Sequence, residues 1–478
     1  MPTLLEHPKA QTLLDQTTVD PDQVRPCARR LTAFVQRYLP CFFRDEQRLH
    51  AETILRGKLS GLQRKTTEPI AAQAQQKRRP LQHFVGAGCW QDADVREELR
   101  GHVAEELADD HAVLALDPSG FPKKGTESCG VARQWCGRLG KVDNCQVGVF
   151  LGYVTPRGQA LIDTQLYLPA ERAADTEHRD KTYVPEEIVF QEKWRLALEL
   201  LRRNGPKLLH GWVTGDDEFG RVTEFREQLR LDGEQYVLDV PCNTSVRDLS
   251  QRRSSPKGGR ARCAPWERVD VWAARQPKRR WRKFTIRGGE EGPLEVEALQ
   301  QQVQTKDADG RVGPVERLVV IRSRGSQPRT WYTLTNAVKK VRLSAVVQVH
   351  NSHHGVEELF ATGKGEVGLD EYEVRSWTGW AHHMTLSMLA LWFLQLERLR
   401  LGKKTPGITV SQVRQIFTEL LRGPKPTVAD IAAKVSAVLQ RTEESRIYHW
   451  HERTGQFPPS RERCRPPPGE NFQYKVAQ

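Results

Sequence analysis

The sequence predicts an α/β core interrupted by a β-rich insertion and flanked by helical N- and C-terminal regions. Three observations carry this. Apolar residues recur at three- and four-residue spacing in residues 1 to about 105, as helices require. From 106 the pattern changes to short apolar runs bounded by turn residues, then to strands alternating with helices. Between 243 and 340 period-two alternation appears in segments dense in cations.

The elements follow in order. Val24 to Leu39 and Leu49 to Leu62 are the first helices. Gln63 to Ala72 and Arg78 to Val85 then form two short helices about a polar break, either a DNA-binding helix-turn-helix or an ordinary helix pair. Ala112 to Leu116 is a buried-type strand ending on Asp117. Gln146 to Val154 and Ala160 to Leu168 are two more, joined by Thr155-Pro-Arg-Gly158, with Pro and Gly where a turn uses them. A helix over Pro185 to Asn204 precedes the strand Leu208 to Thr214. The helix Arg221 to Leu231 and the strand Gln235 to Val240 complete the first part of the core, 106–242.

In the insertion, 243–340, Arg317 to Arg322 and Thr330 to Thr335 have strand patterning. Arg252, Arg253, Arg260, Arg262, Arg342 and the run Lys278-Arg279-Arg280-Trp281-Arg282-Lys283 crowd cations among Trp266, Trp272 and Trp331. Those tryptophans, Trp331 above all, are candidates for stacking on an unpaired base, against chance tryptophans of a β surface. The core resumes over 341–400 with helices Ser344 to Gly368 and Trp377 to Leu399. The last part, 401–478, holds helices Val410 to Leu421 and Thr427 to Gln440. Its Pro- and Arg-rich end, Pro458 to Pro468, has the composition of disorder.

The 478 residues carry 73 Lys and Arg against 60 Asp and Glu, a formal net charge of +13. Because the positive charge is clustered, it points to a polyanionic partner. Nine cysteines without a Cys-x-x-Cys pair argue against a zinc ribbon or disulfide framework, and the spacing of Cys129, Cys136 and Cys145 fits no standard metal site. Neither the polar-broken run Met384 to Leu394 nor the N-terminus reads as a membrane span or secretory signal. Reduced thiols, with no span or signal, then predict a cytoplasmic protein.

Asp117 and Asp216 each follow an apolar strand, and loop-facing carboxylates at strand ends are common functional positions. The competing reading is that each caps the following turn, and Asp217 rivals Asp216. The third carboxylate is Glu357. On a helix it shares a face with His350, His353 and Lys364, at seven and four residues before it and seven after. That face would carry one carboxylate and three groups able to donate to phosphate, against the plainer alternative of a solvated Glu357-Glu358 pair. Two strand-end carboxylates and a helical one suit hard divalent cations in phosphoryl transfer. His350, His353, His354, His382 and His383 lack the His-Glu-x-x-His spacing of a zinc site.

Several segments resemble bacterial insertion-sequence transposases with a DDE core, more narrowly the insertion-sequence family numbered seven hundred and one. They are Leu114 to Gly125, Gly215-Asp-Asp-Glu-Phe-Gly220, Val237-Leu-Asp-Val-Pro241, Val356 to Phe360 and Lys364 to Trp380, within about 105 to 400. The resemblance implies an RNase H-like core in which Asp117, Asp216 and Glu357 hold two Mg²⁺ ions, with Mn²⁺ able to substitute. It also implies a β-rich insertion before the Glu and a Tyr, Arg, Glu, Lys series on the last core helix. Glu357 and Lys364 fit that series, while His350 and His353 stand in place of Tyr and Arg. A neutral His is a weaker phosphate clamp than Arg.

The expectation is an endonuclease and strand transferase that cuts the terminal inverted repeats of its element and joins the 3′-OH ends to target DNA. Lys364 and His353 would hold phosphate. Arg279, Arg280, Arg282, Trp331 and the helical region 1–105 would bind duplex DNA, and two ends imply a homodimer in the DNA complex. Two alternatives remain at this stage: an RNase H-like structure-specific nuclease without strand transfer, and a catalytically decayed DNA-binding protein.

Overall fold

The computed structural model describes residues 4–250, 252–253, 262–289, 292–324, 328–422 and 427–461. Among them a mixed sheet is built in two runs. The first is β1 (Val113–Pro122), β2 (Ala132–Cys136), β3 (Lys141–Val154), β4 (Gln159–Leu166), β5 (Trp212–Gly215) and β6 (Tyr236–Val240). The second is β7 (Ser245–Asp248), β10 (Glu267–Arg268), β11 (Arg282–Gly289), β12 (Gly292–Lys306), β13 (Val312–Ser323) and β14 (Thr330–Thr335), while β8 (Arg252–Arg253) and β9 (Arg262–Cys263) pair with each other in a separate two-stranded ribbon.

β3 pairs antiparallel with β4, as the Pro-Gly turn between them predicts, and with β1, while β5 joins β1 and β6 joins β5 in parallel. A parallel step needs a crossover, and the helices Lys193–Asn204 and Thr223–Leu231 supply it. The strand order through the core is therefore β4-β3-β1-β5-β6. β14 pairs antiparallel with β6, and β13 and β12 continue outward from it. The insertion thus extends the core sheet, and β14 gives β6 the partner that an edge strand lacks.

A buried network fastens this extension from the other side. Arg226, on Thr223–Leu231, is 2% exposed and faces the fully buried Glu316 of β13, Nε to Oε1 at 3.1 Å. Tyr236 Oη donates to the same carboxylate at 2.6 Å, and Arg226 Nη2 donates to Thr305 Oγ1 of β12 at 2.8 Å. Every partner is satisfied, which makes a buried pair tolerable.

The helix Leu343–Val367 crosses the core face of the sheet. Val356 packs onto Gly152 of β3, where an added Cβ would come within 2.3 Å of its Cγ2, so only glycine admits this approach. Phe360 meets Phe150 edge to face at 5.0 Å. The helix Trp377–Leu401 is buried over most of its length, as its apolar sequence predicts. The N- and C-terminal helices pack on it: Phe393 touches both Phe34 and Phe417 at 4.9 Å, and Arg30 clamps the buried Glu397.

Some expectations change. The helix predicted from Pro185 begins only at Lys193, because Pro185 to Glu192 forms a turn closed by Ile188 N to Pro185 O. The helix predicted over Thr427 to Gln440 runs on to Thr454, since Ile447 and Trp450 keep an apolar stripe for it to bury. Pro459 and Arg461 fold back on it through Arg446 and Glu443, and the remainder of the run to Pro468 lies outside the described residues. The short helices Thr67–Gln73 and Arg78–Ala87 bury Ile70, Leu81 and Phe84 in the main core. No described helix is long and apolar enough to cross a membrane.

Glu316→Gln leaves the Arg226 guanidinium buried against a neutral partner, so chemical denaturation should show a loss of about 3–5 kcal/mol. A loss below about 1 kcal/mol, the scale of a surface pair, would contradict the bracing role.

Candidate active site

The parallel register aligns three aspartates. Leu116 of β1 pairs with Gly215 of β5, and Gly215 with Leu238 of β6. The next residues are Asp117, Asp216 and Asp239, one row across three strands spaced about 4.8 Å apart. The pairing of β1 with β5 stops at that row, whereas β1 continues on β3 through Pro122. Asp117 is therefore inside a strand, not at its end as its sequence suggested. The opening lies on the side where β5 has finished.

Asp216 does cap a turn: its Oδ1 accepts from Glu218 N at 3.0 Å and Phe219 N at 3.4 Å. Asp217 points elsewhere, to Arg221 at 3.2 Å. Geometry thus puts Asp216 in the row and leaves Asp217 on the surface. Burial pushes the Asp216 carboxyl up to about 7, with Glu218 and Asp217 adding and the two backbone N–H groups opposing. Burial also drives Asp117 well above the ordinary carboxylate range, with Asp216 and then Glu357 adding and Lys364 opposing.

The helix Leu343–Val367 faces this row. Lys364 Nζ donates to Ser119 Oγ at 2.9 Å and lies 5.2 Å from the Phe121 ring. Burial lowers the Lys364 ammonium. Glu357 Oε2 accepts from His354 Nδ1 at 3.0 Å, and that bond holds its carboxyl below its usual value. His353 is lowered by burial, and its Nδ1 is buried without a hydrogen-bond partner. His350 is committed elsewhere than to phosphate: it donates from Nδ1 to Asp239 Oδ1 at 3.0 Å. The donor face expected along this helix is correspondingly reduced to His353 and Lys364.

The predicted basic residues divide. The register places Arg282, Ala298, Ile321 and Trp331 in one row across β11 to β14. Trp331 stands edge-on to His350 at 5.7 Å, so it belongs to the neighbourhood of the carboxylates. Arg279 and Arg282 are exposed. Arg280 is occupied with Gln276, Gln301 and the Gln300 carbonyl. Arg260 lies outside the described residues. His382 is held by the Val85 and Trp90 carbonyls and His383 by that of Leu369, so both serve packing.

Residues 37–293, more than half of the chain, match the family described as DDE superfamily endonuclease. The chain belongs to that family. Asp117 and Asp216 fall inside the match, and Glu357 and Lys364 beyond it. Over 161 residues, 32% of this chain, it is 30% identical to a Microchaete diplosiphon protein described as a probable transposase for insertion sequence element IS701. The match spans 41% of that relative's length.

A DDE endonuclease generally works with divalent metal, and the donors here fit one by chemistry. Asp117, Asp216 and Glu357 offer only oxygen, and a cation would offset the burial, and after it the neighbouring negative charge, that raises the two aspartates. Among the described residues no group of three or more His, Cys, Asp or Glu stands ready to close round an ion. Asp216 Oδ1 is turned to the backbone of its own turn and Glu357 Oε2 to His354. From the sequence Asp239 is only part of the segment Val237 to Pro241 and His354 only a weighed zinc ligand; neither is placed beside the carboxylates. Asp239 lies near the end of an apolar strand like Asp117, but only the register shows that it joins the row.

Because Asp216 titrates near 7 when folded and near 3.8 when unfolded, the folded state holds the extra proton between those values. Metal-free stability should then fall as pH rises through that window. Chemical denaturation at pH 5 and pH 8 should show a loss at least ~1 kcal/mol larger in wild type than in Asp216→Asn. Equal losses would contradict the desolvated setting of this carboxyl.

Proposed function

We propose that this chain is a DNA transposase that cuts the ends of its element and transfers the 3′-OH ends into target DNA, through an RNase H-like core with Asp117, Asp216 and Glu357 as its catalytic carboxylates. The observation that carries the reading is the gathering of Asp216, Glu357 and Lys364 about Asp117 where β5 ends. The strand order β4-β3-β1-β5-β6 suits that core. The step from endonuclease to transposase is supported by the relative's description and by the basic insertion.

Asp117 and Asp216 are the metal-holding pair, and Glu357 joins them on leaving His354. Two Mg²⁺ ions, when bound, supply stabilisation of both the attacking and the leaving oxygen of the phosphodiester. Lys364, fixed by Ser119, offers its ammonium to a non-bridging phosphate oxygen. His353 offers a neutral ring beside it, a weaker hold than a guanidinium. Arg279 and Arg282, exposed on the insertion, track the duplex backbone. Cutting two ends calls for a homodimer on the DNA.

The test uses labelled DNA carrying the element's ends, with Mg²⁺. Asp117→Asn, Asp216→Asn and Glu357→Gln should each reduce cleavage and joining by about a thousandfold, the scale of several kcal/mol, and Glu358→Gln by little. Cleavage without joining in wild type would replace the transposase by a nuclease. Activity surviving in Glu357→Gln would remove the third carboxylate. Separately, Arg279→Ala with Arg282→Ala should flatten the salt dependence of duplex binding by about two units of log K per log salt; an unchanged slope would take the patch off the DNA path.

A further inference from the structure

We propose that a pocket behind the C-terminal end of the Glu357 helix binds a phosphate-type oxyanion. It lies between the helix Asp45–Leu59 with its following loop and the segment Asp370 to Val374, and has a volume of about 170 Å³. Lys58 and Lys65 line it, with Thr66, Gln82, Glu371 and Glu373. That volume is well under the ~300 Å³ at which drug-sized ligand sites begin, so it suits a small anion and not a nucleotide. Gln82 and Glu373 are exposed at the mouth, so the pocket reaches solvent.

The two lysines are the unusual feature. Lys58 is 2% exposed and Lys65 4% exposed. Among the described residues neither ammonium has a carboxylate within ion-pair distance; Glu371 and Asp370 act on Lys58, and Glu371 and Glu366 on Lys65, only from further off, and a buried ammonium without a close counter-charge is costly. Lys65 Nζ donates to the Lys58 and Ser60 carbonyls, both at 2.6 Å, which leaves one donor. Lys58 Nζ has a single acceptor, Val367 O, at 3.3 Å, which leaves two. The wall carboxylates are committed: Glu371 accepts from the Lys65 backbone N–H, and Glu373 pairs with Arg64. An oxyanion between the ammonium groups would use the remaining donors and cancel the repulsion between them. Consistently, burial lowers Lys58 to about 7 and Lys65 to about 8, and an anion would raise both.

The competing account is that Lys58 only caps the helix through Val367 O, a favourable place for a cation. Phosphate binding separates the two. Inorganic phosphate is titrated into the metal-free full chain in chloride buffer, followed by calorimetry and by ³¹P resonance. Wild type should bind phosphate, and Lys58→Met should bind it about tenfold more weakly, the loss of one charged hydrogen bond. Should Lys58→Met fold poorly, Gln82→Glu places a negative charge at the mouth without touching the buried lysines and should weaken phosphate severalfold. Absent binding, or binding unchanged in both Lys58→Met and Gln82→Glu, overturns the proposal. A short duplex added to the phosphate-loaded Asp117→Asn chain then identifies the source. Released phosphate means that the pocket takes a backbone phosphate of bound DNA, and retained phosphate means a free anion. Neither result depends on the chain cutting DNA, so a failed cleavage assay leaves this site standing.

Discussion

The parallel pairing of β1 with β5 and of β5 with β6 is the constraint on which the candidate site depends. Side chains on neighbouring parallel strands keep step, so the pairing Leu116–Gly215–Leu238 fixes the row Asp117–Asp216–Asp239. A slip of one residue would send each carboxylate to the opposite face. β5 stops where the row begins while β1 continues on β3, so the sheet opens on one side of Asp117 only. The same event that ends the hydrogen-bond ladder also uncovers the carboxylates.

Everything else holds the helix Leu343–Val367 over that row. Gly152 lets Val356 sit on the sheet, Phe360 packs on Phe150, and Lys364 reaches Ser119, two residues past Asp117. At the other end His350 is tied to Asp239 and braced by Trp331 of β14. The insertion thereby contributes to the site through the strand that completes the edge of β6. The Arg226–Glu316 network locks that strand layer to the helix after Asp216, so the position of the second aspartate and the position of the insertion are mechanically one problem.

Local order was legible in the sequence; lateral order was not. The strands around Leu114, Phe150 and Leu161 and the helices holding Phe34, Glu357 and Leu391 are set by apolar periodicity, which depends on near neighbours. Asp117 and Asp216 stood out because an apolar run ending on a carboxylate is unusual. Asp239 ends the same kind of run, yet its membership in the row depends on which strand lies beside β5. The choice of His354 instead of His353 for Glu357 is a rotamer decision within one turn, beyond what helical spacing resolves. Arg279 and Arg280 are adjacent in the chain, and only packing shows that one is free on the surface while the other is spent on Gln276 and Gln301.

Asp117, Asp216 and Glu357 are proposed to form one divalent-metal site. The most direct measurement is the anomalous diffraction of Mn²⁺ in crystals of the full chain with duplex DNA. The account predicts Mn²⁺ at roughly 2 Å from carboxylate oxygens of Asp117 and Asp216, with Glu357 released from His354 and turned to the row. An ion bound elsewhere, with Glu357 still on His354 and the aspartate row empty, would contradict it.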